Sequence, residues 1–189
     1  MTIEYFWLEA IWILALIFAN GFFAASEIAV ITMRKSRIDA LLERGVKAAA
    51  VVARLKEDPD RFLATVQIGV TVISSLASAI GGAAAIGYLK PQIAAAPFPF
   101  VARWAEAIAL VIVVLPISYL SLVLGELVPK SLALRYSEQI ACFVARPIEF
   151  LSRVSAFFVK ALTASSNLVL RIFGGGQNES ASFISVDEV

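Results

Sequence analysis

The sequence has no histidine and a single cysteine, Cys142. The first absence removes the commonest transition-metal ligand and the usual proton shuttle near neutral pH. The second excludes an internal disulfide and every Cys-based zinc arrangement. A metal held by this chain is therefore held by oxygen, the donor set of hard ions such as Mg2+. Charge is scarce as well: 16% of the 189 residues are charged, against about a quarter in a soluble domain. With a formal net charge of +1 there is no basic excess to draw the chain to nucleic acid. No glycine-rich phosphate loop and no nucleophile–base pair is present, which disfavours an enzyme. What is abundant is apolar surface, at 60% of residues, and the composition is that of an integral membrane protein.

A crossing of about 30 Å of hydrocarbon needs roughly 20 apolar residues. Three runs qualify, at Tyr5–Met33, Phe62–Leu89 and Phe100–Val128. The first is too long for the core of a signal peptide and carries Glu4 and Glu9 where basic residues would be needed, so it reads as a retained membrane helix. The second is rich in alanine and glycine, which suits close helix contact, and its Gly81-Gly82 pair offers a place to bend. The connection Arg34–Arg61 holds eight Lys/Arg, whereas Lys90–Arg103 holds only those two. The positive-inside rule puts the first connection in the cytoplasm, the N-terminus outside and the chain after the third span inside.

Along and just before the apolar segment Pro147–Phe173, Arg146, Glu149, Arg153, Lys160, Thr163, Asn167 and Arg171 recur at helical spacing. One polar stripe on an otherwise apolar segment predicts an amphipathic helix in the cytoplasmic interface, with a fourth span as the alternative. The expected organisation is all-α. A three-helix transmembrane domain occupies 1–136 with its cytoplasmic loop at 34–61, juxtamembrane interfacial helices occupy 137–173, and a linker occupies 174–189. The small residues of the spans favour close contact with a second copy, and a C2 homodimer is expected.

The chemistry lies in polar groups inside the apolar runs. On the first span Asn20, Ala24 and Glu27 share a helix face, with Ser26 beside them. On the second span Thr71, Ser74, Ser75 and Ser78 cluster at helical spacing. The third brings Ser118, Ser121 and Glu126, and Pro116 and Pro129 free carbonyl oxygens there. Intramembrane acids cost roughly 2.5–3.5 kcal/mol each on insertion scales and persist chiefly where they do something. Each residue has a plainer reading: hydroxyl stripes as packing glue, Asn20 as an interhelical hydrogen bond, Glu27 paired with Lys130, Glu126 facing water. Their combination at matching depth favours a cation site entered from the cytoplasm, with Gly69 and Gly81-Gly82 letting the second helix move.

Three stretches carry a resemblance: Asn20-Gly-Phe-Phe-Ala-Ala-Ser-Glu-Ile-Ala-Val30, Phe62-Leu-Ala-Thr-Val-Gln-Ile-Gly-Val-Thr-Val-Ile-Ser-Ser75 and Gly125-Glu-Leu-Val-Pro-Lys-Ser131. In order and spacing they look like the transmembrane domain of the CorC/CNNM magnesium transporters. The resemblance implies three membrane helices, a cytoplasmic juxtamembrane belt, a dimer, and Mg2+ export driven by Na+ entry. It also implies Glu126 as the charged ligand, oxygens around Asn20–Glu27 (Ser26 included), and Thr71 or Ser74, with Ser75 adjacent. Many members have an asparagine-rich stretch after the residue matching Gly69. Here Val70-Thr71-Val72-Ile73-Ser74 substitutes hydroxyls for amides, which puts Mg2+ selectivity in question, and some relatives are linked to polyamine export. Members continue into nucleotide-binding CBS modules, and Ser185-Val-Asp-Glu-Val189 resembles the lead-in to them. The competing class is a membrane scaffold or sensor, which would explain a cytoplasmic helix but not the polar faces within the spans.

Overall fold

The computed structural model describes residues 3–172. Apolar patterning has its expected consequence: three helices are long and apolar enough to cross a membrane, Trp7–Thr32, Pro59–Ala94 and Ala105–Arg135. The described residues are helical or in short connections and include no strand, so the protein is an all-α, multi-pass membrane protein. In chain order the helices are α1 (Ile3–Thr32), α2 (Lys35–Glu43), α3 (Lys47–Glu57), α4 (Pro59–Ala84) and α5 (Lys90–Ala94). They continue as α6 (Pro99–Arg103), α7 (Ala105–Leu122), α8 (Val128–Arg135), α9 (Ser137–Val154) and α10 (Ala156–Ile172).

Two of the spans are interrupted by a π-helical turn, Ala85–Leu89 between α4 and α5 and Val123–Leu127 between α7 and α8. Both have one local cause. Each turn contains a glycine four residues before a proline, Gly87 before Pro91 and Gly125 before Pro129. Proline has no N–H to close the α-helical bond on that glycine carbonyl and crowds it sterically, so the helix widens instead of ending. In each turn the N–H of the next residue bonds five back, Lys90 to the Ala85 carbonyl and Val128 to the Val123 carbonyl. The second helix is not broken at Gly81-Gly82: α4 runs through both glycines.

The third span starts later and ends later than the hydropathy run. Phe98, forced extended by the following Pro99, and the cap at Trp104 set α6 apart, and the helix then continues past Pro129 to Arg135. At the start of α4, Pro59 occupies the first turn and Asp58 Oδ1 accepts from Arg61 N at 3.2 Å.

The basic connection is more than a polar loop. It folds into α2 and α3, joined at a tight turn where Gly45 takes φ 75°, a value that costs a glycine nothing. Ile38, Leu41, Val51, Val52 and Leu55 turn inward and meet Ala29 and Val30 of α1, Met33 just beyond it, and Ala141, Val144, Ala145 and Ile148 of α9 in one buried core. Charges ring it: Arg37–Glu138 at 2.6 Å, Arg54–Glu149 at 2.9 Å, and Arg61 Nη2 donating to the Ser152 carbonyl at 3.2 Å. Lys56 Nζ donates to the carbonyls of Ile31 and Met33 at the end of α1, and burial lowers its pKa below the ordinary lysine value. Burial pulls the Glu149 carboxyl upward, but hydrogen bonds from Arg54 and Arg153 outweigh it and hold Glu149 below the usual carboxylate range.

The single amphipathic helix expected from Pro147 onward is two. α9 begins at Ser137, the expected start of the juxtamembrane segment, carries Pro147 inside it, and gives way at Ser155 to α10. Residues 154–189 form a second unit, of which α10 is the described part. Thr163, Asn167 and Arg171 of the predicted stripe fall outside the described side chains, and the linker expected at 174–189 lies outside the described residues.

Candidate cation site

The site is built where α1 crosses the π turn of the third span, and glycines let the two backbones touch. A Cβ on Gly125 would lie 3.1 Å from the Ile17 carbonyl oxygen and 3.2 Å from Asn20 Nδ2. A Cβ on Gly21 would lie 2.9 Å from Pro129 Cγ and 3.2 Å from the Leu124 carbonyl. α1 meets α4 as closely: a Cβ on Gly69 would stand 2.4 Å from the Phe23 ring. Gly69 is thus a tightly packed position, not a slack one.

At the crossing, Asn20 is buried, and its Nδ2 donates to the Gly125 carbonyl at 3.1 Å. That carbonyl is the one whose α-helical donor Pro129 has removed. The bond fixes the amide's orientation, since only the NH2 end can donate. It leaves Asn20 Oδ1 buried and without a hydrogen-bond partner. Such an orphan acceptor is uncommon in a folded protein and calls for an explanation such as an absent ion. Ser26 is fully buried and spends its proton on the Phe22 carbonyl at 2.6 Å, which leaves its oxygen lone pairs free.

One to two turns further along lie the acids. Lys130 Nζ is 2.9 Å from Glu126 Oε1 and 3.7 Å from Glu27 Oε2, so one ammonium bridges carboxylates from two spans. All three side chains are about a third to a half exposed. Glu27 is five residues from the Thr32 end of its helix and Asn20 twelve, or about 8 Å and 18 Å in depth. The arrangement is a wet carboxylate mouth leading toward a dry amide oxygen.

Of the residues proposed from sequence, Asn20, Ser26 and Glu27 lie on α1 and Glu126 faces that helix from the π turn. The hydroxyls of α4 do not share this setting. Thr71 and Ser75 are exposed and Ser74 is half-buried, whereas Phe62, Thr65, Val66, Ala77, Gly81 and Ala84 are the buried positions of that helix, Thr65 donating to the Arg61 carbonyl of its own helix. Among the described residues no three His, Cys, Asp or Glu side chains converge as a metal cluster, so a cation here relies on amide, hydroxyl and main-chain oxygens beside the carboxylates. Sequence reasoning named the Glu27–Lys130 pair, which forms at 3.7 Å, but missed that Lys130 also holds Glu126 at 2.9 Å. The signal for this second contact was available as the i,i+4 spacing from Glu126.

Residues 11–189 match the family model described as "Cyclin M transmembrane N-terminal domain". The chain belongs to this CNNM family, as the three motifs implied. It is 40% identical over 182 residues to a UPF0053 protein of Synechocystis sp., covering 96% of this chain and 40% of that protein. It is 31% identical over 159 residues to the UPF0053 protein YhdP of Bacillus subtilis, covering 84% of this chain and 35% of that protein. A "Polyamine export protein" of Haemophilus influenzae is 27% identical over 161 residues, covering 85% of this chain and 37% of that protein. The chain therefore spans about two fifths or less of the length of these relatives.

Proposed function

We propose that this domain carries Mg2+ out of the cell, as a secondary transporter coupled to Na+ entry. The observation that supports it best is the orphan Asn20 Oδ1, a buried neutral oxygen fixed by the Gly125 carbonyl and set deeper than a pair of carboxylates. Mg2+ gives up its hydration shell reluctantly and keeps several waters. Half-exposed Glu126 and Glu27 suit a hydrated ion's arrival, and Asn20 with Ser26 offers oxygens for the stage at which water is shed. Lys130 then acts as a resident counter-cation. Two carboxylates and one ammonium leave one net negative charge, and a divalent ion that displaces the ammonium brings the pair to neutrality. By the positive-inside rule the eight Lys/Arg of Arg34–Arg61 support a cytoplasmic acid end, from which the site would load, and an external N-terminus. The exposed Thr71, Ser75 and Ser78 serve as contact between two copies, the homodimer being the working unit.

The test is flux in liposomes with Mg2+ and Na+ gradients set independently. Mg2+ efflux that responds to an opposing Na+ gradient and vanishes in Glu126→Gln is expected. Mg2+ movement indifferent to Glu126, or none at all, overturns the reading.

One observation favours a second cargo. The Lys130 side chain is a primary alkylammonium, and the Glu27/Glu126 pair already accommodates it. The terminal amine of a polyamine has the same chemistry, and one relative bears the name polyamine export protein. Spermidine efflux from the same liposomes, exceeding that of Mg2+, would select this cargo.

A further inference from the structure

At the end of the bundle opposite the basic connection, the three spans line an open cavity of about 780 Å3. This lies within the range of roughly 300–1,000 Å3 typical of small-molecule sites. Ile17 is buried at its back, and apart from Glu9, Tyr88 and Gln92 the whole lining is aliphatic or proline. Leu14, Ile112 and Leu120 remain exposed at its rim, so it opens on the membrane-facing surface. A wall of this kind offers a hydrated metal ion almost no oxygen, and the cavity is not an ion vestibule.

Its one acid is conspicuous. Glu9 stands two residues inside the first span, and its Oε2 is buried without a hydrogen-bond partner. Among the described residues no lysine or arginine is paired with it: the bridges formed take Glu27, Glu106, Glu126, Glu138 and Glu149. An uncompensated carboxylate oxygen at one end of an apolar cavity calls for a partner that brings both a cation and an apolar body. We infer that this cavity is a binding site for a single-chain amphipathic amine, its ammonium on Glu9 and its hydrocarbon chain against Ile17, Pro116 and Leu120. Such an amine is either a free amphiphile or the head and one chain of an aminophospholipid.

Calorimetry with the protein in nanodiscs tests this, with dodecylamine as probe and dodecanol as its uncharged match. In phosphatidylcholine nanodiscs, dodecylamine is expected to bind one per chain and at least tenfold more tightly than dodecanol. Glu9→Gln should erase that preference while leaving the weaker binding of both probes. Ala84→Phe, which fills the cavity from α4, should remove both. Phosphatidylethanolamine nanodiscs that suppress dodecylamine binding identify the lipid amine as the natural source, and undiminished binding there identifies a free amphiphile. Equal affinity for amine and alcohol, an unaltered preference in Glu9→Gln, or binding indifferent to Ala84→Phe overturns the assignment. So does absence of saturable binding because a second copy seals the cavity. None of these readouts involves Glu126 or Mg2+, so the outcome is separate from that of the transport reading.

Discussion

Lys130 does two things that oppose each other in a cation site. It neutralises part of the charge on Glu27 and Glu126, which keeps two carboxylates tolerable near hydrocarbon, and on the transport reading proposed above it occupies the place a cargo ion needs. A like charge about 4 Å away costs about 1 kcal/mol in water and about 4 kcal/mol at an effective dielectric constant of 20. A divalent ion doubles that. Lys130→Gln should therefore tighten Mg2+ binding by about tenfold or more, with slower release and lower turnover, as read by calorimetry beside flux. Weaker binding in Lys130→Gln would show that the lysine supports the ion site and does not compete for it.

At the scale of the element, the π turn at Val123–Leu127 makes the site possible, because it turns the Gly125 carbonyl toward Asn20. A double-mutant cycle isolates that relation. Asn20→Ala strips a donor from a buried carbonyl, at a cost of about 1–3 kcal/mol. In a Pro129→Ala background the carbonyl has an N–H four residues on, and the same substitution should cost less. Equal costs in thermal or denaturant unfolding would separate the asparagine from the turn. The helix belt offers another handle. The carboxyl of Glu149 titrates below its usual range through hydrogen bonds from Arg54 and Arg153. With the folded pKa depressed, its contribution is complete above the unfolded value of about 4.3 and is lost as pH falls through the folded one. Amide protection factors in α9, which remove the intrinsic slowing of exchange by acid, should fall on acidification through that window, and Glu149→Gln should flatten the dependence.

These elements also mark how far the sequence was legible. The three spans stand out because apolar length is a one-dimensional property, and the acids stand out because they break it. The core between α1, α2, α3 and α9 was hidden, since basic residues dominate the reading of Arg34–Arg61 and mask the inward stripe of Ile38, Leu41, Val52 and Leu55. Helical spacing identified Thr71, Ser74 and Ser75 as neighbours but not which side of α4 they occupy. That is decided by Gly69 lying against Phe23, a tertiary contact without a local signature. The π turns were half legible: prolines flagged lost hydrogen bonds, but the use Asn20 makes of one needed the crossing geometry.

For the whole molecule, the unresolved demand is made by α4, a membrane-crossing helix that presents Thr71, Ser75 and Ser78 outward. Isolated hydroxyls in lipid cost little when bonded to their own helix, yet a row of small polar residues is also what allows two helices to approach closely and bond across. A two-fold axis beside α4 would bring each of these positions near its own copy, as an isologous contact requires. Disulfides form only when Cα atoms come within about 7 Å, which makes them a strict ruler. In a Cys142→Ala background, single cysteines at Thr71, Ser75 or Ser78 should therefore cross-link between chains under mild oxidation in lipid. The strongest product should come at every third or fourth residue. Ile11→Cys, equally exposed but on α1, should cross-link far less. Uniform cross-linking at all four positions, or a monomeric mass in nanodiscs, would leave the α4 hydroxyls facing lipid and return them to the list of candidate ligands.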